Sequence, residues 1–322
     1  MKKRDTPWTP LSFDGLRRVS LKERQSKVRI EDFGKSWQPG GSFAAFLETL
    51  PGILAVDSFR KAVGAVTDAI AGERTVLLGM GAHPIKVGLS PIIADALKRG
   101  LFTGLALNGA GIIHDVEVAL AGKTSEDVDA HLGEGCFGMA GDTAEFIHGA
   151  VAEARSRGNV GLGRAVGERL LREKAPYAHL SLLATAAGED LPVTVHVAFG
   201  TDIIHMHPAM DGAAMGASTH HDFRLFCRLV STLKGGVYIN LGSAVILPEV
   251  FLKAVSVVRN LGHSLDGITT VSMDFQRHYR PETNVVRRPT MGTGTGISLV
   301  GHHEIMFPLL VAAVLERLFP EG

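Results

Sequence analysis

Apolar and polar positions alternate along this chain with two periods, and the order in which the periods follow one another predicts the architecture. From Ser42 to Ala71 the apolar positions Phe43, Phe46, Leu47, Leu50, Leu54, Phe59, Val63, Val66 and Ile70 approximate helical spacing. Thr75-Val76-Leu77-Leu78 follows as a short apolar run of strand type, and Pro91 to Leu97 reads as an amphipathic helix. Leu101 to Leu107 is a second strand and Ile112 to Leu120 a second following helix. Helices are expected over about 143–156, 161–174, 223–233 and 245–261, whereas Ala178 to Ala187 suits either helix or strand. Further strands are expected at Pro192–Val197, Gly236–Leu241 and Ile268–Met273. Strands that alternate with helices this regularly imply an α/β fold with a doubly wound, mostly parallel sheet. The stretch from Arg280 to Gly301, rich in Arg, Gly and Thr, reads as a long loop, and an apolar helix from Phe307 closes the chain.

Glycine recurs where strands should end. Gly79-Met80-Gly81-Ala82-His83-Pro84 follows the first strand, Asn108-Gly109-Ala110-Gly111 the second, and Gly242-Ser243 a later one. A strand that ends in glycine and opens a helix presents free backbone N–H groups and the positive end of a helix dipole, which suits an anion. Ligands of open parallel sheets bind outside the carboxyl ends of the strands, so several such turns can line one crevice. The third glycine of the dinucleotide fingerprint is absent, and a tight turn explains each glycine equally well.

Composition narrows the partners. Over 322 residues Lys+Arg and Asp+Glu balance at 33 each, so no polyanion-seeking field exists and nucleic acid is a poor partner. Two cysteines, Cys136 and Cys227, read as small buried apolar residues rather than as a disulfide or metal set, and a cytoplasmic location is expected. Met1-Lys2-Lys3-Arg4 begins like a signal peptide, but Asp5, Pro7 and Pro10 interrupt it, and no run reaches membrane-spanning length. Residues 1–40 are basic and polar and read as an N-terminal arm, either solvated or packed on a neighbouring subunit; residues 41–322 read as one α/β domain.

The densest polar cluster is Gly200-Thr201-Asp202, His205, His207, Asp211, His220, His221 and Asp222. In an extended segment His205 and His207 would share a side, offering imidazole and carboxylate ligands to a metal. No familiar zinc spacing is present, and no metal is expected. His114 is either a ligand or a surface residue, and Asp115 and Glu117 diverge on a helix. Lys86, beside the first glycine turn, reads as an anion contact or a solvated residue, with a nucleophile as the less favoured role.

The ending His303-Glu304-Ile305-Met306-Phe307-Pro308-Leu309-Leu310-Val311-Ala312 resembles the closing segment of deoxyhypusine synthases, and the order of elements from Thr75 to Leu315 matches that family. The turns that surround NAD in the family resemble Gly81-Ala82-His83, Asn108-Gly109-Ala110-Gly111, Phe199-Gly200-Thr201-Asp202, Leu241-Gly242-Ser243 and Met273-Asp274 here. The resemblance implies a Rossmann-like fold, NAD as cofactor, a homotetramer with sites between subunits, and oxidation of spermidine before aminobutyl transfer. The family's Trp-Gly-Lys motif, whose lysine forms an imine, has no counterpart: no lysine follows Lys253, and the guanidinium groups of Arg287 and Arg288 cannot replace it. The family's Lys-His-His is likewise replaced, by Ala244 to Pro248.

The expected function is therefore an NAD-dependent enzyme on a small, polyamine-like substrate, without the lysine-imine transfer. Asp202 is the candidate for holding a cationic substrate, and His205 or His207 for moving the proton, because imidazole titrates near neutrality. Two alternatives remain: a non-catalytic protein that binds a nucleotide or other small ligand, and metal-assisted hydrolysis at Asp202, His205 and His207.

Overall fold

The computed structural model describes residues 8, 10–158 and 160–320; the signal-like start at Met1–Arg4, with Asp5 and Pro7, lies outside them. Before the first helix the described residues form one 3-10 turn, Ile30–Asp32. The chain then runs α1 (Phe43–Thr49), α2 (Ala55–Ala71), β1 (Val76–Met80), α3 (His83–Lys86), α4 (Ser90–Lys98), β2 (Gly104–Asn108) and α5 (Gly109–Ala121). Next come α6 (Val128–Leu132), α7 (Gly141–Arg157), α8 (Leu162–Arg172), α9 (Leu182–Gly188), β3 (Val193–His196) and α10 (Gly212–Val230). The last part is β4 (Val237–Leu241), α11 (Ile246–Asn260), β5 (Thr269–Asp274), a single turn α12 (Tyr279–Pro281), β6 (Thr295–Val300) and α13 (His303–Leu318).

The six strands form one parallel sheet in the order β3-β2-β1-β4-β5-β6. This is the doubly wound, Rossmann-like order, in which the chain changes direction between β1 and β4 and opens a crevice at their carboxyl ends. Both faces are covered, which explains why the strands read as unbroken apolar runs. Val76, Leu78 and Met80 of β1 pack with α2, α4, α5, α7, α8, α9 and α13, whereas Leu77 turns to the opposite face with α10 and α11. Tyr238 of β4 anchors that second face, stacked on Phe251 with ring centroids 3.8 Å apart.

Several local expectations change. The helical run from Ser42 is two helices, because Pro51 and Gly52 break it. Gly79 is a residue of β1 rather than of the turn, and it is glycine because the Tyr238 hydroxyl occupies the space of a Cβ. The expected loop from Arg280 holds a π-helical turn, Glu282–Arg287, and the sixth strand, whose Gly and Thr content concealed it. Helix α10 begins at Gly212, capped by Asp211, so that His220, His221 and Asp222 are helical. Cys136 is exposed and Cys227 half-buried, so the first is no core residue.

Two buried carboxylates tie this framework together. Asp115 on α5 accepts the Ser181 hydroxyl and the N–H groups of Leu182 (2.7 Å) and Leu183 (3.1 Å), which fixes the start of α9. Asp222 on α10 accepts the N–H groups of Gly163 (3.0 Å) and Val195 (2.8 Å), which joins α10 to α8 and β3. Burial pushes Asp222 up to about 7, against the pull of those backbone donors. In the unfolded chain the group titrates near 3.8, so the native state holds the proton more tightly. Its contribution to stability is full below 3.8 and is lost as pH rises through about 7. Asp222→Asn keeps an acceptor and removes the titration. Relative to wild type, its urea midpoint should therefore rise between about pH 4 and about pH 8; a difference that does not vary with pH would contradict this assignment.

Candidate functional site

At the switch point the turns after β1 and β4 press together. Gly81 donates its N–H to Leu241 O at 3.1 Å, and a Cβ on Gly81 would overlap the Gly242 carbonyl. Gly242 has a φ of +62°, which favours glycine, and donates to Met273 O at 2.9 Å. Three strand ends are thereby linked in a row.

An imidazole cluster lies over this junction. His303, the first residue of α13, is 1% exposed, and neither ring nitrogen has a partner among the described residues. Its Nε2 lies 3.7 Å from Asp274 Oδ1 and beside Gly242. The exposed His83 ring is 5.3 Å from that of His303, and Phe275 is 6.2 Å from His303. His278 approaches the other Asp274 oxygen at 3.8 Å. Burial lowers the His303 pKa from its ordinary value although Asp274 pulls it up, which favours the neutral ring.

A second group forms at the ends of β2 and β3. Asn108 caps α5 by accepting the Gly111 N–H at 2.8 Å, so its side chain is spent on the helix. The Asp202 carboxylate lies directly on Gly109, where a Cβ would overlap it, and its Oδ2 accepts the Ala198 N–H at 2.8 Å. Burial raises the Asp202 pKa, with the Ala198 bond opposing. Asp202 is 8% exposed and lines a 210 Å³ cavity with Lys86, Ala110, Ile113, His114 and Glu117. A larger cavity of 740 Å³ adjoins it, sharing Phe137, Thr201, Asp202 and Ile203 and lined mainly by apolar side chains such as Phe199 and Met210.

The sequence candidates separate accordingly. Gly81, Ala82, His83, Gly242 and Asp274 collect at the β1/β4/β5 ends, and Asn108, Gly109, Ala110, Gly111, Thr201 and Asp202 at the β2/β3 ends. Met273 points into the core and Ser243 Oγ accepts the Leu247 N–H in the first turn of α11, so those side chains are committed to the fold. His205 and His207 do not lie on an extended segment: Ile203–Met206 is a 3-10 turn. His205 stacks on Phe199 at 4.8 Å with both ring nitrogens unpartnered among the described residues, whereas His207 stacks on His148 and accepts the Ala209 N–H. Among the described residues no group of three or more His, Cys, Asp or Glu is placed to hold a metal ion.

Two features were not foreseen. One is His303, quoted only as part of a terminal motif; its position before an apolar helix gave no sign that it reaches the switch point. The other is the network of His114, Thr124 and Glu117, in which His114 Nδ1 lies 2.6 Å from Thr124 Oγ1 and 3.3 Å from Glu117 Oε2. Burial pushes Glu117 up, but the hydrogen bonds from His114 and Thr124 outweigh it and hold the carboxyl below its ordinary value. Glu117 diverges from Asp115, as its spacing requires, and the Thr124 segment folds back to meet it.

Gly109 provides a direct test of the Asp202 arrangement. Gly109→Ala, at the first position of a helix, should fold with about 1–3 kcal/mol of stability lost to overpacking. The displaced Asp202 should release Ala198, whose amide should exchange faster with solvent; an unchanged exchange rate would show that Asp202 does not rest on Gly109.

No family model matches the chain, and no curated protein matches it. Solved structures do. AgrE in a ternary complex with ornithine and NAD+ superposes with a TM-score of 0.52 at 12% identity, over 83% of this chain and 34% of AgrE. A LOR/SDH protein from Methanococcus maripaludis S2 gives 0.50 at 15%, over 94% of this chain and 76% of its own. A candidate deoxyhypusine synthase from Entamoeba histolytica gives 0.50 at 11%, over 87% and 95%. The chain spans about a third of the length of ArgZ and AgrE, the first of these neighbours. At these identities the likeness establishes the fold alone, a Rossmann-like α/β sheet.

Proposed function

We propose that the chain is an NAD-dependent enzyme acting on a small amine, without imine formation on a lysine. The observation that carries this reading is the strand order, which opens a crevice between β1 and β4 next to a cavity walled by Asp202. AgrE, bound to ornithine and NAD+, and the deoxyhypusine synthase candidate share the fold and support the choice of cofactor and an amine substrate.

The residues at the switch point fit a dinucleotide in one specific respect: the buried His303 ring nitrogens have no hydrogen-bond partner among the described residues, and a polar group arriving beside Gly242 would satisfy Nε2. His83, Gly81, Gly242 and Asp274 would hold it on one side, and the start of α5 at Gly109 to Gly111 on the other. NAD, when bound, supplies an acceptor for a hydride. Asp202 holds the substrate's ammonium group, and its burial strengthens that pairing relative to water. His205 takes the proton rather than His207, because it shares the larger cavity with Asp202 and its ring nitrogens have no hydrogen-bond partner among the described residues. Burial lowers the His205 pKa, with Asp202 opposing, so the ring is neutral and able to accept at neutral pH.

A ligand-binding protein without turnover is the second reading, and the lysines favour it. None follows Lys253, which itself pairs with Glu249 on the exposed side of α11. The homotetramer remains part of the proposal through the family resemblance, the arm over residues 1–40 through its basic and polar composition, and the cytoplasmic location through the two cysteines.

Calorimetric titration with NAD, alone and with spermidine as an amine probe, tests the cofactor. Saturable binding is expected, weakened about tenfold in His83→Ala at an unchanged melting temperature, since His83 is exposed. No binding under either condition overturns the reading, and binding without NADH formation across small amines favours the second.

A further inference from the structure

The 210 Å³ cavity at the ends of β1, β2 and β3 has opposite charges on its walls that do not pair with each other. Lys86, at the end of α3, contributes one wall, and its ammonium group has no ion pair or hydrogen bond among the described residues. Asp202 contributes another. Although it is more than nine-tenths buried, only its Oδ2 is hydrogen-bonded, and among the described residues Oδ1 has no bond and the carboxylate no ion pair. The remaining carboxylates are differently engaged: Glu117 by Thr124 and His114, and Glu126 by the Gly138 N–H at 2.9 Å and His131 at 3.1 Å. A buried carboxylate without a counter-charge is costly. When a lysine shares its cavity without reaching it, a ligand that spans the two satisfies both.

We infer that this cavity recognises a zwitterion, an ω-amino acid whose carboxylate meets Lys86 and whose ammonium group meets Asp202, rather than a polyamine. The inference rests on the amine-substrate reading above and makes it more specific. A diamine would satisfy Asp202 but bring its second cation towards Lys86, where like charges repel, while Glu117 and Glu126 on the same walls are already engaged by Thr124, His114, Gly138 and His131. Lys86 is therefore the residue that sets specificity. A lysine suits this task because its flexible stem brings a point charge to ligands of slightly different length. Ile113 and Phe137 also line the cavity and offer apolar surface to the methylene chain.

Three probes of matched length separate the possibilities: γ-aminobutyrate carries both charges, putrescine two cations and butyrate one anion. Calorimetry on the full chain, with and without NAD, should show γ-aminobutyrate bound at least about tenfold more tightly than either of the others. Lys86→Met, a change at an exposed position, should abolish the preference over putrescine by weakening γ-aminobutyrate about tenfold while leaving putrescine unchanged or improved. Asp202→Asn should weaken both amines. Putrescine binding as well as γ-aminobutyrate, absence of saturable γ-aminobutyrate binding, or an unchanged preference in Lys86→Met overturns the inference. NAD binding in the same samples keeps the two proposals apart: NAD bound without discrimination defeats this one alone, and discrimination without NAD defeats the cofactor reading alone.

Discussion

The contact between Gly81 and Gly242 is the constraint from which the arrangement of the site follows. Strands β1 and β4 lie side by side, yet the chain leaves them in opposite directions, and the two turns touch backbone to backbone with no room for a side chain. Because the turns are this close, the polar groups that serve the crevice come from beside it. His303 arrives from the last helix and Asp274 from β5 on one flank, and Asp202 from the segment after β3 on the other. Residues far apart in sequence are gathered by the ends of one sheet.

The two flanks differ in chemistry. On the β4/β5 side, imidazole rings crowd around one carboxylate, and burial lowers the His303 pKa. On the β2/β3 side, a carboxylate and an amine face a common cavity, and a large apolar space opens beyond them. An imidazole cluster and a pocket lined by groups of both signs thus meet where the sheet diverges.

Much of the framework was legible in the residues. β1 to β5 announce themselves because a strand buried on both faces leaves no polar position to blur the apolar run, as in Val76–Met80. β6 did not, since Thr295, Gly296 and Ser298 carry little apolar signal and the strand lies at the edge of the sheet. The glycines were visible as a class but not by cause: Gly79 makes room for a tyrosine from the neighbouring strand, Gly81 for a carbonyl, and Gly109 for a carboxylate. Each cause is a contact across the sheet, which local spacing does not encode. For the same reason the Asp202 and histidine cluster looked like one site along the chain. A 3-10 turn then sends His205 and His207 to different partners, while Lys86 and His303 enter from distant segments.

The tie made by Asp222 also bears on the order in which the molecule assembles. Its two donors belong to residues 163 and 195, and the acceptor to residue 222, so the carboxylate remains hydrated until α8, β3 and α10 have all met. Stripping water from the group before both donors arrive is unfavourable, and a partly docked α10 is therefore a poor resting place. The same carboxylate therefore couples α8, β3 and α10 beside the cavity, because an opening that frees any one of them breaks a bond that Asp222 makes.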